Sequence, residues 1–239
     1  MADPQTGRMS AALVLLPGLL NDHRLWSGQV GALAGRAEVM VGDLTQDDSL
    51  GAMAQRVLAA APARFALAGL SMGGYVAMEI MRQAPERVER LALLDTTAWP
   101  DLPEQTQRRK DAVELARSGG FDKIMPTMLP LLFHPDHLAE AAITGLAKDM
   151  ARMVGAEAFA RQQAAIMARP DSRGSLSAIA CPTLVLCGAE DGLTPPDRHD
   201  EMAALIAGAK RVTIPLCGHL SPLEQPDAVS DALRAWLDS

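Results

Sequence analysis

The chain has 239 residues, 49% hydrophobic and 21% charged, a composition typical of one large globular domain rather than two. Its 22 Lys and Arg residues against 29 Asp and Glu residues give a formal net charge of −7. Because nucleic acids and anionic membranes attract basic surfaces, this balance argues against both as partners.

Six short apolar runs predict the strands. In chain order they are Ala11–Leu16, Ala37–Val41, Phe65–Ala68, Val88–Leu94, Thr183–Cys187 and Arg211–Leu216. Most are nearly continuous in apolar residues, a pattern typical of parallel strands that helices cover on both faces. The sequence therefore predicts an α/β fold with a doubly wound, mostly parallel sheet of about six strands.

Helical patterns connect these strands. The clearest is Leu50–Ala61, with apolar residues at helical spacing and Ser49 or Asp48 as the N-cap. The other helices are predicted near Leu25–Ala34, between Ser71 and Pro85, near Asp197–Ala207 and near Asp227–Leu237.

Residues 98–179 contain no convincing strand. They are helical in pattern, rich in methionine and interrupted by several prolines. About eighty residues are too many for a loop in a compact domain. We therefore predict a core made of residues 1–97 and 180–239, with residues 98–179 inserted as a helical cap over one edge of the sheet.

The segment Gly69-Leu70-Ser71-Met72-Gly73 follows a predicted strand and precedes a predicted helix. Strand, G-x-S-x-G and helix together are the context of a nucleophile elbow. The two glycines let the flanking chains crowd a strained serine, and the helix N-terminus favours developing negative charge. Ser71 is therefore the candidate nucleophile, the alternative being a tight glycine turn with an incidental serine.

A serine hydroxyl needs a base, and the best-placed histidine is His219, just past the last strand. The remaining histidines lie elsewhere, and surface or capping roles are expected for His23, His137 and His199. For the acid that orients the base, Asp191 follows the neighbouring strand. Asp95, at another strand end, is the alternative.

The remaining acids at strand ends, Glu190 and Asp43, are weaker candidates. An oxyanion hole is also required. Its donors are predicted to be the backbone N–H groups of Met72 and of Leu19, in the loop after the first strand. Pro17 has no N–H to donate, and Gly18 lets this loop approach Ser71.

The chain resembles the α/β-hydrolase superfamily over nearly its whole length. The matching segments are Leu13–Leu19, Gly69–Gly74, Leu91–Asp95, Leu186–Asp191 with Pro195 after it, and Gly218-His219. The chain looks most like small bacterial carboxylesterase-like members with a helical cap. The resemblance implies Ser71, Asp191 and His219 as nucleophile, orienting acid and base, with Leu19 and Met72 at the oxyanion hole.

We therefore expect a serine hydrolase that cleaves a carboxylic ester or thioester through an acyl-enzyme. The alternative is a carbon–carbon or enol-lactone hydrolase with the same three residues, although residues 43–49 lack the Gly-His-Gly segment common in the family. A ligand-binding protein that has lost catalysis is a lesser alternative, since such proteins usually lack one of the three.

The cap offers candidates for the substrate pocket. The apolar ones are Trp99, Met125, Met128, Leu129, Leu132, Phe133 and Met153, joined by Leu20 from the loop after the first strand, although residues of this kind are more often core. Its basic residues are Arg108, Arg109, Lys110, Arg117, Arg152, Arg161, Arg169 and Arg173. One of these could meet a substrate carboxylate, but most are expected on solvated helix faces.

We expect a cytoplasmic protein with a small acyl substrate, no cofactor and no metal; whether it forms a homo-oligomer is left open. Ala11–Leu16 is too short for a signal-peptide core, and no run reaches the roughly 18 apolar residues of a membrane span. Cys181, Cys187 and Cys217 are odd in number and lack a CxxC motif, which is typical of reduced thiols. Cys187 and Cys217 are expected to be buried.

Overall fold

A single sheet forms the centre of the protein, which we describe for residues 11–239 of a computed structural model. Its strands are β1 (Ala11–Leu16), β2 (Ala37–Val41), β3 (Phe65–Leu70), β4 (Val88–Leu94), β5 (Thr183–Gly188) and β6 (Lys210–Ile214). They lie in the order β2-β1-β3-β4-β5-β6, and each pairing is parallel. The predicted fold is confirmed, with strand bounds that differ by at most two residues.

Helices connect the strands. They are α1 (Ser27–Ala32), α2 (Leu50–Ala60), α3 (Met72–Gln83), α4 (Pro103–Leu115), α5 (Ile124–Leu132), α6 (Ala141–Met167), α7 (Arg173–Leu176), α8 (Pro196–Leu205), α9 (Ser221–Glu224) and α10 (Pro226–Leu237). The Ser49 hydroxyl accepts the N–H of Ala52 at 3.3 Å, so Ser49 rather than Asp48 is the N-cap of α2. The first predicted helix is a 3₁₀ turn, His23–Trp26, followed by the shorter α1.

Both faces of the sheet are buried, as the continuous apolar strands predicted. In β1, Leu13 and Leu15 pack on one face in the same cluster as Trp236. Val14 and Leu16 pack on the other face with residues of α2 and α3. Because successive side chains of a strand point to opposite faces, this alternation encloses the sheet between two helical layers and holds its strand ends in place.

Between β4 and β5 the chain is helical, from α4 to α7, and in this stretch the structure contains no strand. We call this stretch, residues 98–179, the insertion. Gly155, with φ +78°, interrupts the long helix α6. Phe133 and Phe159 of the insertion are buried in the same cluster as Leu13 and Trp236, so the insertion packs on the core. Within residues 11–239, no helix is long and apolar enough to cross a bilayer.

Candidate active site

Ser71 lies between β3 and α3 in a backbone conformation that side chains rarely adopt, with φ +54° and ψ −114°. The glycines around it are required by close packing. A Cβ on Gly69 would lie 2.3 Å from the carbonyl oxygen of Gly73, and a Cβ on Gly73 would lie 2.3 Å from that of Leu16. The two glycines of the G-x-S-x-G pattern are therefore required because this turn has no room for a Cβ at either position.

His219 lies in the loop after β6, with its imidazole beside the serine. Its Nε2 is 2.8 Å from the Ser71 Oγ. The insertion supports this loop, because the carbonyl of Leu132 accepts the N–H of His219 at 2.8 Å. Gly218, the residue before His219, packs tightly against the insertion, since a Cβ there would lie 2.8 Å from the backbone nitrogen of His134. The insertion thus fixes the backbone that carries the imidazole.

Glu224 makes a second connection between the insertion and this loop. Its buried carboxylate accepts the N–H of Gly218 at 2.9 Å and the N–H of His134 at 2.7 Å, and it lies 2.9 Å from the Nδ1 of His137. A surface or capping role was expected for His137, but its side chain is mostly buried. Glu224 was not predicted, because two of its three partners, His134 and His137, lie 90 and 87 residues away in the chain.

Asp191, in the loop after β5, faces the other side of the imidazole. Its Oδ2 is 2.8 Å from the Nδ1 of His219 and its Oδ1 is 3.0 Å away. The carboxylate also accepts the Thr194 hydroxyl at 2.6 Å and the N–H groups of Leu193 and Thr194 at 2.9 Å. Thr194 was not predicted, although an Asp that accepts backbone N–H groups two and three residues on is a familiar turn pattern.

The negative charge of Asp191 and the positive charge of protonated His219 stabilise each other. Burial acts to raise the pKa of Asp191, but the His219 charge and the hydrogen bonds from His219 and Thr194 outweigh it and hold this pKa below its ordinary value. Burial acts to lower the pKa of His219, but the Asp191 charge and hydrogen bond leave it raised. A proton that reaches the imidazole is therefore stabilised there.

The alternative acids do not contact the imidazole. Asp95 is completely buried at the end of β4, where it accepts the N–H of Gly188 at 2.9 Å and lies 2.5 Å from the Ser221 hydroxyl. Burial, with the nearby charge of Asp191, raises the pKa of Asp95 to about 8. Glu190 accepts the N–H of Cys217 instead.

Asp43 bonds to residues of its own loop after β2, Thr45 and Gln46.

The prediction of a surface role for His199 is wrong. This side chain is fully buried, and its Nε2 accepts the N–H of Thr96 at 2.9 Å. Burial lowers the pKa of His199 to about 4, so it is a neutral structural histidine. His23, in contrast, is largely exposed as expected.

The two predicted oxyanion donors are available. Met72 is the first residue of α3, so its N–H has no partner within the helix. Leu19 lines the same cavity as Ser71, and a Cβ on Gly18 would lie 3.3 Å from the Ser71 Cβ. The next amide is taken, since the N–H of Leu20 donates to the Gln162 Oε1 at 3.1 Å. Within residues 11–239, neither Leu19 N–H nor Met72 N–H has a protein acceptor.

A cavity opens above Ser71 between the core and the insertion. Its walls are formed by Leu19, Asn21, Ser71, Tyr75, Thr97, Gln105, Arg109, Met128, Leu132, Ile166, Arg169, Leu193, Thr194, His219 and Leu220. Of the predicted apolar pocket residues, only Met128 and Leu132 line it. Met125 and Phe133 are buried in the core, and Met153 is largely exposed. Helical spacing did not specify which insertion side chains face the site.

The cysteines are unpaired, and Cys187 and Cys217 are buried as expected. Burial raises the pKa of Cys187 to about 12 and also raises that of Cys217, so both are protonated thiols. Within residues 11–239, no group of three His, Cys, Asp or Glu side chains is arranged to hold a metal.

Comparisons with known proteins place this chain in a family. A family model described as "Alpha/beta hydrolase family" matches residues 13–232. The chain is 28% identical over 247 residues to a Klebsiella pneumoniae protein named "Putative carbamate hydrolase RutD", covering 94% of this chain and 92% of that protein.

Two solved structures are similar over almost the whole chain. A thermophilic esterase from Thermogutta terrifontis is 32% identical with a TM-score of 0.88, covering 96% of this chain and 90% of the esterase. The enol-lactonase from Burkholderia xenovorans LB400 is 27% identical with a TM-score of 0.89, covering 99% and 95%. The chain therefore belongs to the alpha/beta hydrolase family and is a hydrolase.

Proposed function

We propose that the protein hydrolyses carboxylic esters or thioesters through a covalent acyl-enzyme on Ser71. The observation that carries this proposal is the continuous hydrogen-bonded chain from the Ser71 hydroxyl through His219 to Asp191, with both contacts of the imidazole at 2.8 Å. A nucleophile within hydrogen-bonding distance of a base that a third group orients is the arrangement that activates a serine.

In the first half-reaction the Ser71 Oγ attacks the acyl carbon, and its proton passes to the His219 Nε2. Asp191 stabilises the resulting imidazolium. The backbone N–H groups of Leu19 and Met72 donate to the carbonyl oxygen as it becomes negative. Removing one such donor typically costs on the order of 3 kcal/mol of transition-state stabilisation. His219 then protonates the leaving alcohol or thiol, and the acyl group stays on Ser71.

In the second half-reaction a water molecule attacks the acyl-enzyme. His219 takes the proton from this water and returns a proton to the Ser71 Oγ as the acid leaves. The carboxylate of Asp191 stays ionised throughout, since its pKa is held below its ordinary value. No step requires a cofactor or a metal.

The insertion acts as a cap in this proposal. Side chains of α4 to α6 form one wall of the cavity, and the backbone of Leu132 holds the loop of His219. A cap of this kind would exclude water and select a small acyl substrate.

Localisation in the cytoplasm, and the absence of nucleic-acid and membrane partners, remain predictions from the sequence.

Hydrolysis of a carbon–carbon or enol-lactone bond is the second candidate. The similarity to the Burkholderia xenovorans enol-lactonase over nearly the whole chain favours it. Esters and enol lactones share the attack on an acyl carbon, so substrates must separate them. Turnover of simple methyl and p-nitrophenyl esters without turnover of enol lactones or vinylogous diketones would favour the first candidate.

Replacement of Ser71 by Ala tests the proposal. The variant should lose turnover of p-nitrophenyl butyrate and keep the wild-type melting temperature, because alanine removes only the hydroxyl. Ser118→Ala, at an exposed serine of the insertion that bonds only to nearby carbonyls, is the control and should retain activity. Wild-type turnover by the Ser71→Ala variant would refute the mechanism.

A further inference from the structure

The cavity above Ser71 has a positively charged wall. Two arginines line it, Arg109 from α4 and Arg169 just after α6, and no Asp or Glu of residues 11–239 does. The side chain of Arg169 is only 5% exposed and that of Arg109 is 24% exposed. Buried guanidinium groups are rare unless they are paired or bind a ligand.

A single carboxylate serves both guanidinium groups. The Asp101 side chain, 1% exposed, accepts from the Arg169 Nη1 at 2.5 Å and from the Arg109 Nε at 2.7 Å. Two positive charges on one negative charge leave about one uncompensated positive charge at the cavity wall. Arg152, an exposed arginine elsewhere in the insertion, has an acid of its own, Asp149, at 2.8 Å.

The remaining contacts hold the two guanidinium groups without neutralising them. Arg169 donates from its Nε to the carbonyl of Trp99 at 2.9 Å, and its guanidinium stacks 4.6 Å from the centre of the Tyr75 ring. Arg109 donates from its Nη1 to the Gln163 Oε1 at 3.0 Å. Among residues 11–239 the Nη2 group of neither arginine has an acceptor. Two oriented donor groups therefore remain for a ligand.

We propose that these arginines bind a carboxylate on the substrate, so that the substrate class is the half-ester of a dicarboxylic acid. The uncompensated charge matches a monoanion, and a planar guanidinium suits a planar carboxylate. This inference rests on the proposed ester hydrolysis at Ser71. It adds that the acyl group ends in a carboxylate.

In this proposal the carboxylate belongs to the acyl part of the substrate rather than to the alcohol. Arg169 stacks on Tyr75, which lies three residues after Met72 and so about one turn along α3. The N–H of Met72 holds the acyl oxygen in the proposed mechanism, whereas the leaving alcohol must lie where His219 can protonate it. Because Arg169 contacts the helix whose N-terminus holds the acyl oxygen, the acyl chain is the part of the substrate expected to reach it.

The test compares monomethyl adipate with methyl hexanoate, two methyl esters of the same chain length that end in a carboxylate and a methyl group. The wild type should prefer monomethyl adipate by at least about tenfold in kcat/KM, mainly through KM, because charge-assisted hydrogen bonds are strong in a cavity. Arg169→Gln and Arg109→Gln should each remove most of this preference, measured as the ratio of kcat/KM for the two esters within each variant.

Arg152→Gln, at an exposed ion pair of the same insertion, is the matched control and should keep the preference. Arg109 is the more exposed member of the pair, so its variant tests the proposal even where Arg169→Gln does not fold. Equal wild-type kcat/KM for the two esters, or equal losses on both in Arg109→Gln, would overturn the carboxylate site. Failure of the ester mechanism would differ, since Ser71→Ala would then leave hydrolysis of methyl hexanoate intact.

Discussion

The two sides of the cavity above Ser71 are built in different ways. On the core side, Ser71, Asp191 and His219 each follow a strand of one parallel sheet, and tight backbone packing sets their positions. On the insertion side, Arg109 and Arg169 reach the cavity from helical segments and are held by side-chain bonds to Asp101. The core side of the site therefore has no room for an added Cβ at Gly69 or Gly73, whereas the positions of the two arginines depend on an ion pair between side chains.

Replacement of Gly73 by Ala should produce the largest effect on the core side. The new Cβ would lie 2.3 Å from the Leu16 carbonyl oxygen and 2.8 Å from that of Pro17, and neither backbone group can move without shifting the loop of Leu19. We expect little folded protein and no esterase activity, as measured by thermal unfolding and p-nitrophenyl butyrate turnover. A stable, active variant would mean that this turn is more adaptable than its packing indicates.

Replacement of Asp191 by Asn should reduce kcat by about 10⁴-fold, the loss seen when the orienting acid of a Ser-His-Asp site is made neutral. It should also change the pH profile. Burial acts to lower the pKa of His219, but the Asp191 charge outweighs it and leaves this pKa raised, so the acid limb of kcat/KM should move to lower pH in the variant.

Glu190→Gln is the control for this prediction, since Glu190 is the neighbouring acid of the same loop and bonds the N–H of Cys217 rather than the imidazole. It should keep the acid limb of the wild type. If the wild type and Asp191→Asn had the same pH profile, the charge of Asp191 would not raise the pKa of His219, which would contradict the prediction.

The difference between the two sides also explains what the sequence could predict. Ser71, Asp191 and His219 could be proposed as one site because parallel strands end at one edge of a sheet, so residues distant in the chain must meet there. Arg109 and Arg169 were only two of eight basic candidates, since a helical pattern does not reveal which face covers a site. His199 was misplaced because its acceptor role depends on Thr96, which lies 103 residues away.

The two sides further differ in how they bury an acid. Asp101 in the insertion has two arginines, whereas Asp95 in the core has no Arg or Lys partner within residues 11–239 and its burial, with the charge of Asp191, raises its pKa to about 8. The folded protein therefore keeps a proton that the unfolded chain releases above about pH 4. This contribution to stability is complete below about pH 4 and is lost as the pH rises to about 8.

Replacement of Asp95 by Asn should remove that pH dependence, because the amide resembles the neutral acid and does not titrate. The melting temperature of the variant relative to the wild type should rise between pH 5 and pH 9, with the largest relative gain above pH 8. Melting curves for both proteins at pH 5, 7 and 9 measure this. Parallel curves would mean that Asp95 is ionised throughout the range.

Replacement of Gly145 by Ala should have the smallest effect and the opposite sign to Gly73→Ala. Gly145 lies inside α6 in the insertion, and a Cβ there would meet no atom within 4 Å. Glycine inside a helix costs roughly 0.5–1 kcal/mol relative to alanine, so the variant should be slightly more stable and fully active. Denaturant unfolding measures the gain; a loss of stability would indicate a contact that alanine disturbs.

The most direct test of the account is the position at which a fluorophosphonate attaches to the protein. Intact-mass and peptide mass spectrometry should find one adduct per chain, on Ser71, because His219 activates that hydroxyl alone. The adduct should be absent from Ser71→Ala and should form far more slowly in His219→Asn. Labelling on another residue, or no labelling of the folded wild type, would contradict the assignment of Ser71 as the nucleophile.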